Sequence, residues 1–170
     1  MLNLSEEAKN FILSELELEP VEQHHVSISR VVSLRHHWID PFVESLRQTV
    51  ERSKAFPLSL NKLQVYCNDD KTRTFVGLET TAGVQDLQRL TYGVDKCLKE
   101  YKLPPFYYPP SFHVSLGWCL GDMRAPIKTI LQKVELKLVD ILEDDDELGK
   151  LIVRNIHCKA GNKIFEFKLK

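Results

Sequence analysis

The chain has 170 residues, 43% of them hydrophobic, and 23 lysines and arginines against 24 aspartates and glutamates give a formal net charge of −1. That length holds one well-buried core or two small fused lobes, and excludes separate domains joined by linkers. A near-neutral balance excludes a protein that coats a long duplex, so any nucleic acid bound is expected to be a short segment or an end. Cys67, Cys97, Cys119 and Cys158 lie far apart with no Cys-x-x-Cys pair, which points to free thiols in a reducing compartment, cytosol or nucleus. No apolar run approaches the roughly 20 residues of a membrane-spanning helix.

Along the chain, Ser5 followed by Glu6 and Glu7 reads as a helix start, and Ala8, Phe11, Ile12 and Leu16 form an apolar stripe as far as about Glu17. Glu19-Pro20 breaks this helix, and a strand is expected over about Gln23 to Val32. Asp40 can cap a second helix with Pro41 in its first turn, running to about Lys54 and burying Phe42, Val43, Leu46 and Val50. Lys62 to Asn68 and Arg73 to Glu79 read as a hairpin around an Asn-Asp-Asp-Lys turn. A third helix spans about Gly83 to Tyr101 with Val84, Leu87, Leu90, Val94 and Leu98 inward. Ser111 to Trp118 reads as a strand. Ala125-Pro126 opens a fourth helix with Ile127, Ile130, Leu131 and Val134 on one side. The acidic run Glu143 to Glu147 reads as a solvated loop. Strands near Leu151 to Cys158 and Lys163 to Leu169, around Lys-Ala-Gly-Asn, close the chain. This set is α+β with mainly antiparallel sheet and flanking helices.

Two short motifs stand out. In Ser111 to Trp118 the alternation puts His113, Ser115 and Gly117 on one face and Val114, Leu116 and Trp118 on the other. The same device appears in His25-Val26-Ser27-Ile28-Ser29. With six histidines and ten serines, about 0.15 His-apolar-Ser tripeptides are expected by chance, so two in one chain are informative where one is not. The histidines are 88 residues apart, about half the chain. That spacing suggests two similar lobes contributing one histidine each.

Other chemistries fit less well. A metal site wants ligands at helical or loop spacing, whereas His24-His25 and His36-His37 are adjacent pairs whose side chains point apart, so no metal is expected. Ser27 and Ser115 lie outside any Gly-x-Ser-x-Gly elbow, and read as hydrogen-bond donors to an anion rather than nucleophiles. No phosphate-binding glycine loop or dinucleotide turn occurs, so no cofactor is expected. Trp38, Trp118 and Phe112 read as core. Tyr107 and Tyr108, held between prolines just before His113, read as rings on which a base can stack.

Two imidazoles on opposite sides of a phosphate can act as base and acid. Serine hydroxyls can hold the non-bridging oxygens. If the attacker is a ribose 2′-hydroxyl, it is already tethered beside the phosphorus, and the substrate is RNA.

The motifs His25-Val26-Ser27 and His113-Val114-Ser115 resemble the paired signature of the two-histidine (2H) phosphoesterases. The strings Leu34-Arg35-His36-His37-Trp38-Ile39-Asp40-Pro41-Phe42, Lys71-Thr72-Arg73-Thr74-Phe75 and Pro110-Ser111-Phe112-His113 are similar to those of the eukaryotic U6 small nuclear RNA phosphodiesterases. This similarity covers about Val26 to Lys170. It implies two pseudo-symmetric lobes around a central cleft, and a monomeric, nuclear, metal-independent 3′-to-5′ exoribonuclease. Such an enzyme trims the uridine-rich single-stranded 3′ end of U6 RNA and leaves a 2′,3′-cyclic phosphate. It also implies His25 and His113 as the catalytic pair, Ser27 and Ser115 as phosphate donors, Tyr107 as the aromatic beside the terminal base, and Pro110 and Ser111 as further substrate-binding positions. Family members carry a strand before the first helix, whereas this chain opens almost directly into that helix. One domain over residues 1–170 without the leading strand is therefore expected. The alternatives are a 2H enzyme acting on cyclic nucleotides or 2′–5′ linkages, and a non-catalytic RNA-end-binding module.

Overall fold

The computed structural model describes residues 5–142 and 149–170, and the acidic run Glu143 to Glu147 lies outside them. The chain divides into two compact units: Met1–Val26, Ser59–Thr81 and His113–Leu151 form the first, and Ser27–Leu58, Ala82–Phe112 and Ile152–Lys170 the second.

The first unit holds most of a five-stranded sheet. Its members, in chain order, are β1 (Glu19–Pro20), β2 (Phe56–Cys67), β3 (Arg73–Ala82), β4 (His113–Leu120) and β5 (Lys150–Val153), and their spatial order is β1-β4-β3-β2-β5. Helix α1 (Glu6–Glu15) starts where the Ser5 hydroxyl accepts the Ala8 N–H at 3.1 Å. Its Ala8 and Ile12, with Leu16 just beyond, are buried as the stripe requires. The β2–β3 turn is tied by side chains. Asn68 Oδ1 accepts the Arg73 N–H at 2.9 Å, and Asp70 Oδ1 accepts the Thr72 hydroxyl at 2.7 Å.

Two expectations are corrected here. No strand forms over Gln23 to Val32; the chain supplies only β1, paired with Gly117 and Trp118, and an isolated antiparallel bridge from Val26 to Val114. No residue from Val21 to Val32 is buried, so the alternation there has no core to pack against. The second correction concerns β4. Val76 pairs with Gly117, but Gly77 pairs with Ser115, so Leu116 is an extra residue without a partner on β3, a β-bulge. Residues opposite one another in an antiparallel pair share a face. Trp118, opposite Phe75, therefore joins His113 and Ser115, opposite Glu79 and Gly77, while Gly117 joins Val114 on the face of Val76 and Leu78. That second face is the core: Val76, Leu78, Val114, Leu63 and Val65 are buried on it. α1 packs against β4 and α4 (Arg124–Leu142). A side chain on Gly117 has no room beneath that helix, since its Cβ would lie 2.5 Å from Leu13 Cδ2 and 2.9 Å from Leu18 Cβ. In α4, Ile127, Leu131 and Val134 are buried, but Ile130 is exposed.

In the second unit, α2 (Ile39–Val50) follows a 3-10 turn (His36–Trp38), so Asp40 sits inside the first turn rather than capping it. Phe42, Val43, Leu46 and Val50 are buried, and α2 packs against α3 (Val84–Glu100). Val84 is only half-buried, while Leu87, Leu90, Val94 and Leu98 point inward as read. The C-terminal strands β6 (Asn155–Ala160) and β7 (Lys163–Lys168) pair antiparallel around Gly161-Asn162 and lie against α2, with Phe167 and Leu169 buried. The stretch read as one strand from Leu151 is thus divided between β5 and β6. Among the described residues no helix is long and apolar enough to cross a membrane.

Candidate active site

His113 opens β4, and the sheet's pairing turns it and Ser115 to the half-exposed face, with Val114 and Leu116 buried. Glycine at position 77 is what allows the strands to approach there: a Cβ would stand 2.3 Å from the Val114 carbonyl oxygen and 3.1 Å from Ser115 Cα. The His113 ring stacks on Tyr66 of β2, with centroids 3.6 Å apart and planes 13° from parallel. Such a pair holds an imidazole in one orientation through ring contact.

The Val26–Val114 bridge joins the middle residues of the two His-x-Ser motifs. Antiparallel register then sets His25 across from Ser115. Both histidines fall within the first compact unit, His25 one residue before its first segment ends and His113 at the start of its third. His25 is exposed, and its Nδ1 lies 3.0 Å from the Gln23 carbonyl oxygen. A carbonyl oxygen only accepts, so Nδ1 carries the proton and the lone pair of the neutral ring is on Nε2. The neighbouring His24 differs. It is half-buried, and burial followed by the Lys9 charge lowers its pKa. The adjacent pair thus splits into one solvent-facing ring and one inward ring.

In the second unit the proline loop is pinned at both ends. The Phe106 N–H donates to Asp95 Oδ1 at 2.8 Å, and the buried rings of Phe106 and Phe112 stack 7° from parallel with centroids 5.4 Å apart. Tyr107 and Tyr108 are left outside at 43% and 95% exposure. Tyr107, Tyr108 and Pro110 border a hollow of about 380 Å³ with Thr91, Tyr92 and Asp95, and Ser111 is half-buried beside it in sequence. The Arg30 guanidinium lies 3.9 Å from the Tyr107 ring centroid. Ser27, three residues before it, is exposed. A hollow of about 400 Å³ in the first unit, lined by Asp122, Arg124, Ala125 and Lys128, contains none of the residues expected in the site. Among the described residues no group of three or more His, Cys, Asp or Glu side chains is placed to hold a metal ion.

Sequence reasoning missed Tyr66, Arg30 and the orientation of Trp118. Phe112 is buried as read, but Trp118 is half-buried on the His113 face, with the Arg73 guanidinium 4.5 Å from its centroid. Tyr66 was detectable only as the residue that alternates with the buried Leu63 and Val65 on a strand of the same sheet.

Comparison with known proteins agrees with this architecture. The chain is 40% identical over 153 residues to U6 snRNA phosphodiesterase 1 of Rattus norvegicus, a match covering 90% of this chain and 57% of the relative. It is 43% identical over 148 residues to the Xenopus laevis protein of the same name, covering 87% and 59%. The chain thus spans a little under three fifths of the length of these curated relatives. Among solved structures, Kluyveromyces marxianus Usb1 with uridine monophosphate superposes with a TM-score of 0.63 at 18% identity, over 99% of this chain and 95% of that one. A phosphoesterase crystal structure superposes with a TM-score of 0.53 at 13% identity, over 99% and 92%. The fold is therefore shared with Usb1 and with that phosphoesterase, α+β with mainly antiparallel sheet. The family model named HVSL, described as an uncharacterised conserved protein, matches residues 3–168, and His113-Val114-Ser115-Leu116 spells its name. With that match over nearly its whole length, the chain belongs to the HVSL family, and its curated relatives are U6 snRNA phosphodiesterases.

Proposed function

We propose that this chain is a metal-independent 3′-to-5′ exoribonuclease that trims the uridine-rich 3′ end of U6 RNA in the nucleus. It works as a monomer, with residues 1–170 forming one two-lobed domain. The observation that carries the reading is the bridge between Val26 and Val114, which joins the centres of the two His-x-Ser motifs. Supporting it are the names of the curated relatives and the uridine monophosphate that accompanies Usb1 in the Kluyveromyces marxianus structure.

The chemistry follows from the residues. His25 Nε2, whose lone pair is left available by the Nδ1–H bond to Gln23, takes the proton of the 2′-hydroxyl on the penultimate nucleotide. The 2′-oxygen then attacks the adjacent phosphorus, the bond to the 5′-oxygen of the terminal nucleoside breaks, and His113 protonates that oxygen. The shortened chain ends in a 2′,3′-cyclic phosphate. Ser27 and Ser115 donate hydrogen bonds to the non-bridging oxygens, where negative charge grows. Tyr107 stacks on the terminal base, with Pro110 and Ser111 contacting the substrate beside it. No activated water is needed, because the nucleophile is tethered.

The test is a short digestion of oligouridine with mass analysis of the ends. A single 2′-deoxy substitution at the penultimate nucleotide should block removal of the last residue, and the same change at the terminal nucleotide should be tolerated. Efficient cleavage of the penultimate-deoxy oligomer to a plain 3′-hydroxyl or 3′-phosphate would overturn internal attack. Binding without any cleavage would instead make the chain an RNA-end-binding module.

A further inference from the structure

Arg73 and Trp118 take no part in the chemistry above, yet both belong to the face of the first unit's sheet that carries His113 and Ser115. The bulge at Leu116 is the reason for Trp118. Without it, Trp118 would alternate onto the core face with Val114, as the sequence suggests. With it, Trp118 lies opposite Phe75, and Arg73, two residues before Phe75 on β3, shares that side. The Arg73 guanidinium stands 4.5 Å from the indole centroid.

Arg73 is exposed, and among the described residues it makes no ion pair. The nearby carboxylate of Asp70 accepts the hydroxyl and the backbone N–H of Thr72; these bonds, and to a lesser degree the Arg73 charge, hold its pKa below the usual carboxylate range, without a direct ion pair to Arg73. Stacking on an indole restrains a guanidinium without neutralising it, so its in-plane donors stay directed at an outside acceptor. An oriented cation on an otherwise near-neutral chain suits one phosphate group rather than a long tract.

We infer that Arg73, held against Trp118, binds a backbone phosphate of the RNA on the 5′ side of the scissile bond, an inference that rests on the exonuclease reading above. Two considerations set its place. Phe75, the partner of Trp118, is four residues along β3 from Glu79, the partner of His113, which is about 13 Å of strand. The contact therefore falls on a nucleotide beyond the two that flank the scissile phosphate. An enzyme that removes the 3′-terminal nucleotide leaves further nucleotides only on the 5′ side. The bulge thus gives the catalytic face a second station for the retained RNA chain.

The experiment compares diuridine with pentauridine, measuring both kcat/KM and, by fluorescence anisotropy, Kd for the full chain and its variants. The wild type should favour the pentamer about tenfold. Arg73→Ala should collapse that preference to near one, and the slope of log affinity for the pentamer against log salt should become shallower by about 0.7, the value for one phosphate on a single strand. Trp118→Phe should keep most of the preference, while Trp118→Leu should lose it although Arg73 is intact, because the cation is no longer held. An unchanged preference and salt slope in Arg73→Ala would overturn the inference, as would equal wild-type affinity for dimer and pentamer. A wild type that binds pentauridine with the expected preference but cleaves neither oligomer would remove the exonuclease reading and leave the phosphate contact standing.

Discussion

Tyr66 and His113 stack face to face, with centroids 3.6 Å apart and planes within 13° of parallel. Tyr66 comes from β2 and His113 from β4, and these strands are separated by β3 in the sheet, so the contact spans the half-exposed face rather than following one ladder. Aromatic pairs contribute about 0.5–1.5 kcal/mol beyond their buried area, enough to favour one ring orientation. Replacing Tyr66 with Leu should lower kcat for oligouridine about 2- to 10-fold with KM nearly unchanged, and Tyr66→Phe should restore the rate. Equal losses in the Leu and Phe variants would show that stacking does not position His113.

The two histidines are expected to act as a unit. His25→Gln and His113→Gln should each reduce cleavage by about 100-fold or more while RNA binding and circular dichroism stay close to wild type, because one step needs both proton transfers. Retention of about a tenth of the rate by either variant would contradict the two-histidine mechanism.

Activity should also survive excess EDTA, since tethered 2′-hydroxyl attack with imidazole acid and base requires no activated water. Loss of activity in the chelator, restored by zinc or magnesium, would count against it.

Stability offers an independent check on the bulge. Gly117 faces the core, where a Cβ would lie 2.5 Å from Leu13 Cδ2, 2.9 Å from Leu18 Cβ and 3.0 Å from the Glu19 carbonyl oxygen. Gly117→Ala should therefore overpack the seam between α1 and β4 at a cost of about 1–3 kcal/mol, lowering Tm by roughly 3–10 °C. If Gly117 instead faced outward beside Ser115, as simple alternation reads it, the variant would melt with the wild type.

Much of this chain is decided locally, and there the sequence suffices. Ser5 caps α1, the apolar positions of α2 and α3 recur at helical spacing and are buried, and Asn68-Asp69-Asp70-Lys71 turns β2 into β3. Caps, periodicity and turn chemistry act between residues a few positions apart, so their outcome is written in adjacent letters. The same holds for the two His-x-Ser motifs as chemical units. Only the tertiary structure decided what surrounds them. The stretch from Gln23 to Val32 alternates like a strand but finds no core, so only Val26 bridges to Val114. The bulge at Leu116 arises from how β4 meets β3, and it moves Gly117 under α1 and Trp118 beside Arg73, reversing what alternation assigns. Tyr66 reaches His113 only because β2 and β4 lie on either side of β3. Period-two alternation tells which residues share a face only while a strand's register is unbroken, and register belongs to the pair of strands, not to either one alone.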